Sequence, residues 1–95
     1  MRMFLKVSMD TQAANKAVAD GGMAKAVEAF VAGFKPEGVW FTAIDGKRAM
    51  VAIFDLASAS QLPSVAEPFF NAVGAHIELS PAMDLADLQA GLSSL

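Results

Sequence analysis

Strict alternation of apolar and polar residues predicts a β-strand near the start of the sequence and another near its end. Residues 3–9 alternate so that one face carries Met3, Leu5, Val7 and Met9 and the other carries Phe4, Lys6 and Ser8. Residues 75–79 alternate in the same way, with Ile77 and Leu79 on one face and His76 and Glu78 on the other. Each strand therefore has one face suited to a core.

Two further strands are predicted in the middle of the chain, joined by a tight turn. Residues 39–44 and 49–54 are rich in β-branched and aromatic side chains, and Asp45-Gly46 stands between the two runs. Asp-Gly between apolar segments is a strong hairpin signal, because both residues tolerate the positive φ angles that such a turn requires. We expect Asp45, Lys47 and Arg48 at the tip of this hairpin.

Helical periodicity fills the intervals between the predicted strands. Apolar residues spaced by three and four form one stripe over residues 23–34 and another over residues 62–73. Gly21-Gly22 is expected to interrupt the first helical region, and Pro68 is expected to kink the second. After the last strand, Asp84 is expected to cap a short amphipathic helix whose apolar side carries Leu85, Leu88 and Leu92.

The order of these elements predicts an α+β fold in one domain over residues 1–95. A strand, helix, strand, strand, helix, strand sequence with short right-handed crossovers gives a four-stranded antiparallel sheet with both main helical regions on one face. This is the ferredoxin-like βαββαβ arrangement, here followed by a short C-terminal helix.

The other face of this sheet is predicted to be mostly apolar. The first predicted strand would contribute Phe4, Lys6 and Ser8 to this face, and the last would contribute His76 and Glu78. The hairpin adds either Trp40, Thr42 and Ile44 or Val39, Phe41 and Ala43 from one strand, and either Met50, Ala52 and Phe54 or Val51 and Ile53 from the other. Exposing several large side chains would forgo roughly 1.5–3 kcal/mol each, a sum comparable with the stability of a small domain. We therefore expect a homodimer in which two open faces meet.

Composition and charge exclude several classes of protein. With 95 residues, 55% hydrophobic and 18% charged, the chain is too apolar for disorder, and the absence of cysteine excludes disulfides and thiolate metal sites. A net charge of -3 disfavours binding to nucleic acid. The strand from Arg48 to Phe54 also lacks the basic-glycine-aromatic pattern of RNA-recognition modules, since Met50 and Ala52 occupy the stacking positions. Since neither an export signal nor a membrane span is visible, we expect a cytoplasmic protein without a membrane partner.

Lys6, His76 and Glu78 form the candidate ligand pocket, with Trp40 and Phe4 as its apolar walls. On adjacent antiparallel strands, side chains of one face approach within about 5 Å, so Lys6 and Glu78 would pair beside His76. One interpretation is a structural ion pair with an interface histidine. Another is a binding site for a small organic ligand. A third is acid–base catalysis, with His76 exchanging protons and Lys6 binding an anion.

Other polar groups give weaker indications. Lys47 and Arg48 beside Asp45 would suit a phosphate, but a solvated hairpin tip that discourages edge pairing is the favoured interpretation. The serines show no nucleophile pattern, and the single histidine has no metal-ligand spacing around it, so we predict neither metal nor cofactor.

The chain resembles the dimeric α/β-barrel superfamily over essentially its whole length, in the order of its elements and in its apolar open face. Residues 41–48, Phe-Thr-Ala-Ile-Asp-Gly-Lys-Arg, and 66–70, Ala-Glu-Pro-Phe-Phe, are similar to small bacterial families of unknown function within it. The resemblance implies a ferredoxin-like dimer. Relatives in the superfamily include cofactor-independent isomerases and monooxygenases, haem-handling proteins and non-catalytic stress-related proteins. By analogy with the haem-handling relatives, His76 would be the haem ligand. No catalytic motif carries over, so the resemblance implies a fold and not a reaction.

Overall fold

The computed structural model describes residues 1–95, with four strands and four α-helices in the order β-α-α-β-β-α-β-α. The elements are β1 (Arg2–Ser8), α1 (Thr11–Asp20), α2 (Gly22–Phe34), β2 (Gly38–Ile44), β3 (Lys47–Asp55), α3 (Leu62–Val73), β4 (His76–Pro81) and α4 (Leu85–Ser93). A single 3₁₀ turn, Ala59–Gln61, precedes α3.

The strands form one antiparallel sheet in the order β2-β3-β1-β4. In its central rows, Leu5 lies opposite Ala52 on one side and Leu79 on the other. This strand order, with the helices between β1 and β2 and between β3 and β4, confirms the predicted ferredoxin-like α+β fold.

The predicted breaks in the chain lie where backbone geometry requires them. Gly21 separates α1 from α2 with φ of 81°, a conformation that glycine adopts without steric cost. In the hairpin turn, Asp45 and Gly46 have φ of 55° and 74°, as expected for two consecutive left-handed residues. Helix α3 runs through Pro68 without ending, and Gly74 closes it in the left-handed region.

The core lies between the sheet and the three helices α1, α2 and α3. Its most buried large side chains are Phe54, Leu5, Met50, Val7 and Val65. At one end, the ring of Phe54 packs edge-on against Phe30 and Phe34, with centroid distances of 5.4 and 5.5 Å. The alternation of β1 predicted this core face correctly.

The register decides which residues of the hairpin face away from the helices. Met50, Ala52 and Phe54 point into the core, so Val51 and Ile53 lie on the opposite side of β3. Trp40 pairs with Val51 and therefore shares its side of the sheet. We define the open face as the side that carries Phe4, Lys6, Ser8, Trp40, Thr42, Ile44, Val51, Ile53, His76 and Glu78. Of the two orientations that the sequence allowed for each hairpin strand, these are the ones adopted.

Helix α4 differs from the other helices because it buries none of its residues. A capping box closes its first turn: the Asp87 N–H donates to Asp84 Oδ1 at 2.8 Å, and the Asp84 N–H donates to Asp87 Oδ2 at 3.1 Å. Arg2 of β1 joins this turn to the sheet, since its guanidinium donates to Asp84 at 3.2 Å and to Glu37 at 3.0 Å. The predicted cap at Asp84 is thus present.

We expect α4 to fray in acid because its cap titrates. The backbone N–H of Asp87, and then Arg2, hold the pKa of Asp84 below its ordinary value of 3.8. The stability that this carboxylate contributes is therefore present above pH 3.8 and is lost as the pH falls through the lower value of the folded protein. NMR chemical shifts of the Asp87 amide should report the transition. In Asp84→Asn, which caps the helix without a carboxylate at this position, the acid transition of the Asp87 amide should be clearly smaller, and a transition of unchanged size there would contradict this assignment.

No helix of the chain has the length and apolar character needed to cross a bilayer.

Candidate functional site

The three polar residues predicted for the site lie side by side on the open face, where β1 and β4 pair. Lys6 is opposite Glu78, and Ser8 is opposite His76. Lys6 Nζ lies 3.5 Å from Glu78 Oε2, and His76 Nε2 lies 3.6 Å from Glu78 Oε1. One carboxylate thus bridges a lysine and the only histidine of the chain, as the cross-strand geometry predicted.

These residues line a cavity of about 330 Å³ at the end of the sheet next to the β2–β3 turn. We call it the polar cavity and define it by seven residues: Lys6, Ser8, Ile44, Asp45, Lys47, His76 and Glu78. Only Ile44 is apolar. The volume lies at the lower end of the range for small-ligand sites, about 300–1,000 Å³.

The hairpin tip reaches the polar cavity because β3 extends beyond β1. The last residue of β1, Ser8, pairs with Ala49. Lys47 is the first residue of β3 and lies two residues closer to the β2–β3 turn. Lys47 therefore overhangs the end of β1 on the open face. It makes no ion pair within the chain, unlike Lys6.

The two basic residues at the hairpin do not act together. Successive strand residues point to opposite faces, so Lys47 faces the polar cavity, whereas Arg48 faces the helices and its guanidinium donates to Asn15 Oδ1 of α1. The interpretation in which Lys47 and Arg48 grip one phosphate is therefore wrong. Arg48 instead ties the hairpin to the helical layer.

Trp40 and Phe4 lie on the open face but do not line the polar cavity. The indole of Trp40 folds over Gly38, where an added Cβ would lie only 2.3 Å from a ring atom. Gly38 starts β2, at the far end from the turn, so the ring turns away from the cavity. Phe4 pairs with Ser80, one row beyond the Lys6–Glu78 pair. Both predicted walls thus belong to the apolar part of the open face.

Sequence reasoning missed Ser8, Ile44 and Asp45 as neighbours of the site and assigned Lys47 to a solvated tip. The Asp45-Gly46 turn did indicate that Ile44 and Lys47 pair with each other. The sequence pattern did not reveal how far β3 extends beyond the end of β1. This extension brings the Ile44–Lys47 pair close to the start of β4. A register between strands that are distant in sequence is fixed by packing.

The polar cavity is only partly sheltered from water in a single chain. The side chains of Lys6, Glu78 and His76 are 22%, 55% and 72% exposed. At such exposure, ion pairs contribute about 0–1 kcal/mol to stability, so the structural interpretation explains little of why three charged or titratable groups gather here. No three His, Asp or Glu side chains converge so as to hold a metal ion.

Comparison with known families gives one match over the full length of the chain. The model of a family described as "Domain of unknown function (DUF3303)" covers residues 1–95. Comparison with curated proteins gives no match.

Proposed function

Since the chain belongs to the DUF3303 family of domains of unknown function, we propose from its geometry that it is a homodimer that binds a small organic anion in the polar cavity. The two copies meet through their open faces, as in a dimeric α/β barrel. Each cavity then lies at the edge of the interface, and the protein acts in the cytoplasm.

Dimerisation is supported by the apolar part of the open face. Trp40 is 56% exposed in the single chain, and Phe4, Val51 and Ile53 are only half-buried. Fully burying an exposed large apolar side chain is worth roughly 1.5–3 kcal/mol, so covering these partly buried side chains recovers a fraction of that for each. The face of another copy is apolar at the same positions, so an isologous contact is self-complementary.

Anion binding is supported by the positions of the two lysines of the polar cavity, although Asp45 and Glu78 balance their charge overall. Glu78 engages both Lys6 and His76, which leaves Lys47 as a lysine without a carboxylate partner. Ser8 adds a hydroxyl that can donate to the same ligand. A carboxylate or other compact anion bound between Lys47 and Lys6 would satisfy both ammonium groups. This unpartnered lysine at a cavity on a self-complementary face is the observation that carries the proposal.

The second copy has a physical role at the site. In the single chain, water screens the charges of the cavity and weakens any ion pair with a ligand. A second sheet laid over the open face would exclude part of that water. Binding and dimerisation are therefore expected to support each other, with the ligand raising the stability of the dimer.

Acid–base catalysis is the second candidate, favoured by the 3.6 Å contact between His76 and Glu78. In that mechanism Glu78 orients the imidazole, His76 exchanges a proton with the bound molecule, and Lys6 holds its anionic group. This is the chemistry of a cofactor-independent isomerase or a monooxygenase-like enzyme. A non-catalytic dimer whose interior is filled by side chains is the remaining alternative.

We expect thermal-shift screening with a panel of small aliphatic and aromatic carboxylates to identify a stabilising ligand. A ligand at 100 times its dissociation constant stabilises the folded protein by roughly 2.7 kcal/mol. Isothermal titration of the best carboxylate should then show at least about tenfold weaker binding to Lys47→Met and Lys6→Met, since each loses a charge-assisted contact.

Lys35→Met is the matched control, because Lys35 is an exposed lysine at the end of α2 and outside the cavity. It should bind the carboxylate as the wild type does. If no carboxylate stabilises the protein, or if all three variants bind it equally, the anion site is excluded. If the His76→Ala variant binds the ligand normally but no longer converts it to a product, catalysis is favoured instead.

A further inference from the structure

Two charged side chains of the sheet and its hairpin turn, Asp45 and Lys47, have no polar partner within the chain. They form no ion pair with each other either, although only Gly46 separates them. The other charged side chains of these elements each make an ion pair or a hydrogen bond: Arg2, Lys6, Arg48, Asp55 and Glu78. Two opposite charges are thus left unpaired at one end of the sheet.

Both unpaired side chains line the polar cavity. The cavity also contains the Lys6–Glu78 pair, so two lysines and two carboxylates surround it and their formal charges cancel. A ligand with a single negative charge would satisfy Lys47 and leave Asp45 without a counter-charge. A ligand that carries one charge of each sign would satisfy both, which matters most when a second sheet excludes water from the site.

The hairpin turn fixes how far apart the two charges of such a ligand can be. Asp45 and Gly46 form a tight turn with two consecutive left-handed residues, and Ile44 pairs with Lys47 across it. The carboxylate and the ammonium group are therefore presented from neighbouring positions of one short turn. The complementary charges of the ligand must be close neighbours too, as they are in an α-amino acid.

Like charges in the cavity disfavour ligands with two negative groups. A dicarboxylate bound at Lys47 would bring its second carboxylate towards Asp45 or Glu78, and such repulsion is a means of rejecting a ligand. The only apolar lining residue is Ile44, which offers one contact for an aliphatic side chain. A volume of about 330 Å³ suits a single small molecule.

We propose that the ligand of the polar cavity is a zwitterion, an aliphatic α-amino acid. Its carboxylate binds Lys47 and Lys6, its ammonium group binds Asp45, and its side chain packs on Ile44. The inference rests on the proposed function, because the carboxylate uses the same two lysines. It adds a second point of recognition that a simple carboxylate lacks.

Matched pairs of ligands test the role of the ammonium group. Glycine, alanine, valine and leucine are compared by thermal shift with acetate, propionate, isovalerate and isocaproate, which differ from them only in lacking the α-ammonium. The best amino acid and its deaminated acid are then measured by isothermal titration, together with the corresponding amine, which lacks the carboxylate. The amino acid should bind at least about fivefold more tightly than either, the gain expected for one partly exposed ion pair.

Asp45→Asn tests the residue assigned to the ammonium group. Asparagine keeps the turn, because Asn-Gly is as well suited as Asp-Gly to these positive φ angles. The variant should lose the fivefold preference for the amino acid, while the deaminated acid should bind as tightly as before or more tightly. A general disturbance of the cavity would weaken both ligands instead.

Glu67→Gln is the matched control, since Glu67 is an exposed carboxylate of α3 outside the cavity. It loses the same charge and should keep the preference for the amino acid. Lys47→Met should weaken the amino acid and the deaminated acid alike, because both place a carboxylate there.

The outcomes separate this inference from the proposed function. If the deaminated acids bind as tightly as the amino acids, or if the preference survives Asp45→Asn, the zwitterion is wrong and the anion site stands. If neither series stabilises the protein, or if the amine binds as tightly as the amino acid, both proposals are wrong.

Discussion

Phe54→Ala is expected to lower the free energy of unfolding by about 3–5 kcal/mol, the cost typical of removing a buried phenylalanine. The side chain is 1% exposed, and its ring packs edge-on against Phe30 and Phe34. Alanine leaves a cavity that these rings cannot fill, because they are fixed on α2 while Phe54 is fixed on β3. Since small domains have a total stability of about 5–15 kcal/mol, the variant would lose a large fraction of its stability.

Urea denaturation followed by circular dichroism, at one fixed protein concentration, measures this change. Phe41→Ala is the matched control, since Phe41 lies on the neighbouring strand β2 and is 62% exposed. It should cost less than about 1 kcal/mol, as exposed positions usually do. Equal losses in the two variants would mean that the cluster of Phe30, Phe34 and Phe54 is not the centre of the core.

Val51→Lys is expected to convert the proposed homodimer into a folded monomer, with a dissociation constant raised by at least about 100-fold. Val51 lies in the middle of the open face, opposite Lys6 on one side and Trp40 on the other. A lysine there would bury an unpaired charge beside Lys6 when two sheets meet, and like charges across an interface cost several kcal/mol. The core is unaffected, because this side chain points away from the helices.

Sedimentation velocity over a concentration series measures the shift, and circular dichroism checks the fold. Val18→Lys makes the same substitution at a position of α1 that is 53% exposed, on the opposite side of the molecule. It should leave association unchanged. If Val51→Lys associates as tightly as the wild type, the copies do not meet through the open face, and the proposed dimer is wrong.

The position of the candidate site could be predicted in part from the sequence. Alternation in β1 and β4 placed Lys6, His76 and Glu78 on one face, and adjacency of these strands in the fold brought Lys6 and His76 within 3.5 and 3.6 Å of Glu78. Phe4 was assigned to the same site because it shares that face, and Trp40 because its indole would suit the wall of a ligand pocket. The structure separates them from the cavity because a seven-residue strand is about 23 Å long, and period-two alternation defines the face without the position along it.

Local residue patterns were enough to predict the elements of this protein, their order and the side of β1 and β4 that faces the core. These features depend on local physics: side-chain periodicity, left-handed residues at Gly21 and Asp45-Gly46, and the cap at Asp84. Packing between distant segments was needed to establish that Val51 and Trp40 face outward, that Lys47 overhangs the polar cavity and that α4 leaves its leucines exposed. In β2 and β3 both sides are apolar, so either orientation satisfied the pattern, and packing of Met50 and Phe54 against the helices selected one.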